Sequence, residues 1–368
     1  MKTISLLIKP ASSLCNLRCR YCFYADVSSL RAMPSYGIMQ DETVAAMLHN
    51  VFSEFTDGDV VNFAFQGGEP TLAGLAYFER FVSAVKKAQG GAVVHYALQT
   101  NGIVLDDAWC SFLTQHHFLV GLSLDGGADM NDENRVDEQG KGTFKRIMAA
   151  KACLDAHKTE YNVLFVLTQN HARYAARVWR FLVDNDIRYV QFIPCLATLE
   201  SGEASPAALT PARFASFYSE LFVLWEKALA AGQYISVKFF DDVFNLLTRG
   251  EVTACGFTGR CQPQFVVEAD GGVYPCDFYV LDQWKTGNIT HDTPTALLQS
   301  ETMQRFLQRE HGHVARCSGC EFIRICGGGC PRMASNMYHG EHGFCGYQSF
   351  LRQNQSLIEK VAKQHLRQ

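Results

Sequence analysis

The 368-residue sequence has no excess of positive charge, no long apolar run and no complete export signal. Its formal net charge of −4 lacks the basic footprint of a nucleic-acid-binding protein. No apolar run approaches the ~20 residues that a membrane span requires. The opening "MKTISLLIKP" holds an apolar run of five residues. That is short of the ~7–15 of a signal-peptide core, and no small-residue cleavage site follows. The segment reads as a first β-strand and the protein as cytoplasmic, with neither nucleic acid nor membrane among its partners. A composition of 48% hydrophobic and 19% charged residues suits one large domain or two modest ones.

What the chain has in excess is cysteine. Fourteen in a reducing compartment would not be disulfides, and clustered cytosolic cysteines are more often metal ligands. Three stand together in "SSLCNLRCRYCFY", as Cys15, Cys19 and Cys22, and eight fall between 255 and 345. Cys110, Cys153 and Cys195 stand alone and read as small buried hydrophobes.

Apolar runs of strand length occur at Ile4–Ile8, Val60–Phe65, Val93–Leu98, Phe118–Leu124, Val163–Leu167 and Tyr189–Ile193. Helical periodicity lies between them. "DETVAAMLHNVFSEF" (41–55) opens on an expected Asp41 cap and sets Val44, Met47, Leu48 and Val51 on one face. Stretches 74–88, 106–116, 143–157 and 171–185 read alike. Six βα units with near-continuously apolar strands predict a parallel sheet with helices outside, curled into a partial barrel. Polar loops follow the strands: "SSLCNLRC", "QGGEP", "QTNG", "SLDG", "TQN" and "PCL". Chemistry in barrel-type α/β folds gathers at those strand ends. The segment 198–209 reads as a flexible loop.

A structural zinc site or a fully protein-ligated four-iron cluster takes four ligands, so three thiolates on one loop leave one metal corner free. CxxxCxxC with interleaved aromatics, followed by GGEP after the second strand, resembles the radical SAM superfamily. The resemblance implies a 4Fe–4S cluster on Cys15, Cys19 and Cys22. S-adenosylmethionine would chelate the fourth iron and be cleaved to a 5′-deoxyadenosyl radical. It also implies cofactor contacts from Tyr21, Gly67, Gly68, Glu69, Ser123, Arg135 and Leu196. From the residues alone, Ser123 reads equally as a capping serine and Arg135 as a solvated one.

The second group runs Cys255, Cys261, Cys276, Cys317, Cys320, Cys326, Cys330 and Cys345. An alternating strand, a turn and a second strand lead from Cys261 to Cys276, a hairpin with candidate ligands at both ends. Eight thiols divide into two four-ligand sites, and taken alone the segment slightly favours zinc over iron. Beside a radical SAM barrel it resembles a SPASM domain, which carries two auxiliary 4Fe–4S clusters. That resemblance implies one cluster on Cys255, Cys261, Cys276 and Cys330 and another on Cys317, Cys320, Cys326 and Cys345. Pro331 and the short gap to Cys345 depart mildly from the family pattern. The implied domains are a radical SAM partial (β/α)6 barrel at 1–235 and a SPASM-type domain at 236–368.

"SLLIKPASS", "YCFY", "SYGIM", "FAFQGGEPTLAGL", "LQTNG", "FLVGLS" and "VYPCDFYVLD" resemble the anaerobic sulfatase-maturating enzymes from Ile4 to Cys345. Those enzymes oxidise a cysteine or serine of a sulfatase to Cα-formylglycine without oxygen. The resemblance implies Asp277, next to Cys276, as the proton acceptor, against a reading of Asp277 as a turn cap. Tyr24, Gln66, Gln99 and Asn101 are expected at the peptide site. An unfolded or nascent sulfatase polypeptide would be the substrate and flavodoxin or ferredoxin the electron donor, with the chain a monomer. The cysteine loop begins at residue 15, so no leader-binding module is expected before it. The alternatives are a SPASM enzyme that crosslinks a small precursor peptide and a non-catalytic zinc-organised binding protein.

Overall fold

The computed structural model describes residues 1–199, 205–252, 254–309 and 317–365. Residues 200–204 of the expected 198–209 loop lie outside the described residues. The strands in chain order are β1 (Thr3–Ile8), β2 (Val60–Phe65), β3 (Val93–Thr100), β4 (Phe118–Ser123), β5 (Tyr161–Leu167) and β6 (Tyr189–Pro194). They are followed by β7 (Ser236–Val237), β8 (Phe265–Val267), β9 (Gly272–Tyr274) and β10 (Gly287–Asn288). Two compact units interleave along the chain: 1–123 with 132–161 and 263–309, and 124–131 with 162–262 and 310–368.

In the first unit the sheet order is β10-β9-β8-β1-β2-β3-β4. Strands β1 to β4 are parallel, with Ile4 opposite Val61 and Ile8 opposite Phe65. Parallel alignment brings the carboxyl ends of β1, β2 and β3 to one sheet edge, where the cysteine loop, the GGEP turn and Asn101 emerge. Leu6, Ile8, Val61, Phe63, Phe65, Val120 and Leu122 are buried, as continuous apolar strands under helices require. Phe65 meets Phe78 and Phe81 of the covering helix Leu75–Ala88 with ring centroids 4.9 Å apart. Strands β8 and β9 form the hairpin expected from the sequence and extend the sheet, β8 pairing in parallel with β1.

The helix Asp41–Phe52 buries the four expected residues, but its cap is Gln40. Asp41 is the first helical residue, and its carboxylate accepts from Arg80 Nε at 2.9 Å instead of capping. In the second unit β5, β6 and β7 are parallel. The long helix Pro211–Ala230 packs on Gly346–His365, and an aromatic core of Phe222, Trp225, Phe240 and Phe350 fills the space around them. Cys110 and Cys195 are buried as expected of lone cysteines. Cys153 is not: it is half-exposed, with its thiol 3.5 Å from the Asp107 carboxylate.

Candidate active site

The cysteine loop leaves β1 through Lys9 and is fixed mostly by backbone. Gly68 N–H donates to the Ser12 carbonyl at 3.0 Å and Glu69 N–H to that of Leu14 at 2.7 Å. Arg18 and Arg20 N–H donate to the Val136 and Asn134 carbonyls. Cys22 precedes the helix Phe23–Ser29, so Tyr24 lies in its first turn. Burial pushes the Cys15 thiol up to about 12, and the nearby Glu69, Cys19 and Cys22 add to the effect. Thiols this close gain little from ionising unless a cationic metal centre binds them, which suits a three-thiolate cluster site.

Glu69 is buried and joins two loops. Its Oε1 accepts from Thr71 N at 3.0 Å, Thr71 Oγ1 at 2.7 Å and Thr100 Oγ1 at 2.8 Å, and its Oε2 from Asn101 N at 2.7 Å. Burial still pushes its carboxyl above the ordinary range. The Asn101 amide donates to Asn16 Oδ1 at 2.8 Å and lies 3.9 Å from Cys15 Sγ. Asn101 is thus placed beside the cysteine loop, and Gln99 lies half-buried in β3. Arg135 is buried with its guanidinium 5.6 Å from the Tyr21 ring centroid, so it is not a solvated arginine. Ser123 is buried at the end of β4. Leu196 belongs to the second unit, where its neighbours' carbonyls, those of Cys195 and Ala197, accept from Asn336 and Arg332.

Asp277 opens the short helical turn Asp277–Tyr279 after β9. Its carboxylate does not cap that turn. Oδ2 accepts from the Tyr24 hydroxyl at 2.6 Å and the Gln66 amide at 2.8 Å. Gln66 also donates to the Tyr24 oxygen. Oδ1 faces Lys9 Nζ at 2.9 Å as an ion pair and accepts no aligned hydrogen bond. Lys9 is 3% exposed, so its ammonium depends on this partner and on the Tyr24 ring 4.2 Å away. Burial and the Asp277 charge hold the Tyr24 phenol well above its usual value, keeping it a donor.

Three residues of this neighbourhood escape sequence reasoning: Lys9, Arg31 and Glu268. Arg31 Nη1 and Glu268 Oε1 form a buried ion pair at 2.6 Å, and Glu268 Oε2 accepts from Ser12 Oγ at 2.8 Å. The available signal was a charge standing directly after each of two apolar strands, Lys9 after β1 and Glu268 after β8.

In the second unit, Cys317, Cys320, Cys326 and Cys345 line one cavity of about 780 Å3. Burial and their mutual proximity push the Cys317 and Cys345 thiols up, and Cys326 to about 11. The Gln348 amide donates to Cys320 Sγ at 3.5 Å. Cys330 lies close enough to Cys255 and Cys261 to be affected by their charge. The backbones carrying them touch: a Cβ at Gly259 would fall 1.9 Å from the Gly327 carbonyl oxygen, and both glycines have positive φ. Four convergent thiols fit a four-ligand metal centre, and three fit part of another.

The radical SAM superfamily model matches residues 10–174, and that of the SPASM iron–sulfur cluster-binding domain matches 255–321. A cysteine-type anaerobic sulfatase-maturating enzyme of Clostridium novyi (strain NT) is 38% identical, covering 99% of this chain and 98% of its own. The chain belongs to the anaerobic sulfatase-maturating enzymes. A cysteine-type relative from Clostridium perfringens (strain 13 / Type A) is 41% identical over 90% of both chains. A serine-type enzyme of Bacteroides thetaiotaomicron is 28% identical, covering 90% of this chain and 83% of its own. The solved structure of native anSMEcpe with bound AdoMet and Kp18Cys peptide has a TM-score of 0.89 and 37% identity, covering 98% of this chain and 99% of that one. The chain has the radical SAM α/β fold with an open mixed sheet and a SPASM domain, and membership makes it an iron–sulfur enzyme that uses S-adenosylmethionine. No helix among the described residues is long and apolar enough to cross a membrane.

Two outcomes are expected from substitution. Arg31→Met leaves Glu268 buried without its cation and should cost about 3–5 kcal/mol, read as a lowered denaturant midpoint. Cys345→Ser should remove about four iron atoms per chain from the anaerobically reconstituted protein while leaving the rest in place, read by iron analysis.

Proposed function

We propose that this enzyme oxidises a cysteine side chain of an unfolded or nascent sulfatase polypeptide to Cα-formylglycine without oxygen. The observation that carries the reading is the Asp277 carboxylate, paired with Lys9 and oriented by Tyr24 and Gln66, immediately after Cys276 in the chain. Cysteine is favoured over serine by the 38–41% identity to cysteine-type relatives against 28% to a serine-type one.

In this reading Cys15, Cys19 and Cys22 hold one 4Fe–4S cluster. Cys255, Cys261, Cys276 and Cys330 hold a second, and Cys317, Cys320, Cys326 and Cys345 a third. When bound, these clusters and S-adenosylmethionine supply the hydrogen-abstracting 5′-deoxyadenosyl radical and a sink for one electron. Tyr21, Gly67, Gly68, Glu69, Ser123, Arg135 and Leu196 are the residues that would contact S-adenosylmethionine. Glu69 acts there through Thr71, Thr100 and Asn101, which its carboxylate fixes. Gly67 and Gly68, lacking side chains, let the Ser12–Leu14 backbone pack against this turn, and their own backbone would meet the ligand.

Asp277 is the base. Its carboxylate would take the thiol proton of the substrate cysteine. Lys9 pairs with the carboxylate in a buried setting, and Tyr24 with Gln66 fixes the direction of Oδ2. The cysteine thereby loses a Cβ hydrogen atom, its thiol proton and one electron. Hydrolysis of the resulting thioaldehyde releases sulfide. Gln99 and Asn101 line the peptide approach, and a low-potential donor such as flavodoxin or ferredoxin supplies the starting electron. The enzyme works as a cytoplasmic monomer, with residues 1–235 as the radical SAM domain and 236–368 as the SPASM-type domain.

The test is anaerobic turnover of a sulfatase-motif peptide in cysteine and serine forms, followed by peptide mass and 5′-deoxyadenosine. The cysteine peptide should exchange one sulfur and two hydrogens for one oxygen. Asp277→Asn should still form 5′-deoxyadenosine while product falls by at least ~100-fold. Deoxyadenosine from the wild type with a linked or unchanged peptide would move the reading to a peptide-crosslinking enzyme.

A further inference from the structure

Away from the strand ends, the helices Asp107–Gln115 and Phe144–His157 of the first unit pack against each other. Each presents two metal-ligand residue types one turn apart: Asp107 and Cys110 on the first, Cys153 and His157 on the second. Asp107 Oδ1 lies 3.5 Å from Cys153 Sγ and 3.1 Å from His157 Nε2. The three ligand atoms all lie within 4.8 Å of one another. The buried Cys110 thiol lies close enough to Cys153 for each to affect the other's ionisation. Thr114 Oγ1 donates to the His157 carbonyl at 3.3 Å and meets Thr159 Oγ1 at 2.7 Å, fixing the end of the second helix against the first.

We propose that Asp107, Cys153 and His157 form a zinc site separate from the iron–sulfur centres. Zinc bonds of about 2.0–2.3 Å to N, O and S place tetrahedral ligands about 3.3–3.5 Å apart, close to the two distances seen before any adjustment. A thiolate, an imidazole and a carboxylate form the mixed donor set that zinc accepts. One thiolate and one carboxylate also balance a divalent ion's charge, with the imidazole neutral. The Cys153 proton leaves to solvent on binding. Cys110 then donates to the Cys153 thiolate from the buried side, while Asp107 is exposed and leaves the fourth position open to water. Asp106 does not compete, because its carboxylate caps the first helix through Trp109 N–H at 3.0 Å.

The site is tested on the enzyme with its iron–sulfur centres reconstituted under anaerobic conditions and loosely held metal removed by a chelator. Titration with Zn2+ against a chromophoric zinc chelator should show a single saturable equivalent per chain, and added zinc should raise the thermal midpoint. Cys153→Ser and His157→Ala should each abolish that equivalent and the thermal shift while iron content stays at the wild-type level. Asp107→Asn, on the exposed side, gives a third measure should either of those variants fail to fold. No zinc uptake by the wild type in competition, or the same uptake by folded variants, overturns the proposal.

Discussion

The close approach of two backbone segments, Ser12–Leu14 and Gly67–Glu69, is the constraint on which the active site rests. A Cβ at Gly68 would stand 2.1 Å from the Leu14 carbonyl oxygen, and one at Gly67 would stand 2.9 Å from that of Ser12. Gly67 also has φ +131°, which residues with a side chain rarely adopt. The absent side chains let two amides reach two carbonyls, so the cysteine loop hangs directly on the end of β2. The hydrogen bonds of Glu69 then carry the same rigidity to the end of β3. The loop proposed to hold three metal ligands gains its order from backbone contacts that need no metal.

Buried charge supplies the second layer of order. Two ion pairs sit at the ends of neighbouring strands, Lys9 with Asp277 and Arg31 with Glu268. Each would be costly if left single, and each joins the cysteine segment to the region around the β8–β9 hairpin. The Arg31–Glu268 pair holds Ser12, a residue with positive φ, through a hydrogen bond to its hydroxyl. The Lys9–Asp277 pair holds the carboxylate proposed above as the base. One kind of interaction therefore serves the placement of the loop in one case and the chemistry in the other.

Legibility in the sequence followed the range of the interaction. All six apolar runs read as strands form strands, with ends within two residues of those expected, because the need to bury apolar side chains writes itself into each short segment. The cysteine spacings identified the metal-binding segments because ligands close in sequence must stay close in space. Asn101 is instructive in the other direction. Its side chain reaches Asn16 and Cys15, contacts that the sequence does not mark, since the end of β3 abuts the cysteine loop. Cys153 read as a buried hydrophobe, but the partners that change its character, Asp107 and Cys110, lie on another helix.

The sequence by itself determined the parallel strand–helix repeat, the cysteine loop, the thiol clusters and the family to which they point. Each of these is a pattern of neighbours along the chain. Only the tertiary structure decided that Lys9 neutralises Asp277, that Glu268 joins Arg31 to Ser12, and that Asp107, Cys153 and His157 converge. Except for Cys153 and His157, one helical turn apart, those partners are separated by 46 to 268 residues in the chain, and a charge or a thiol carries no mark of what it will meet. The meeting is fixed by strand order and helix packing, where desolvation makes an unpaired charge costly and so selects the partner.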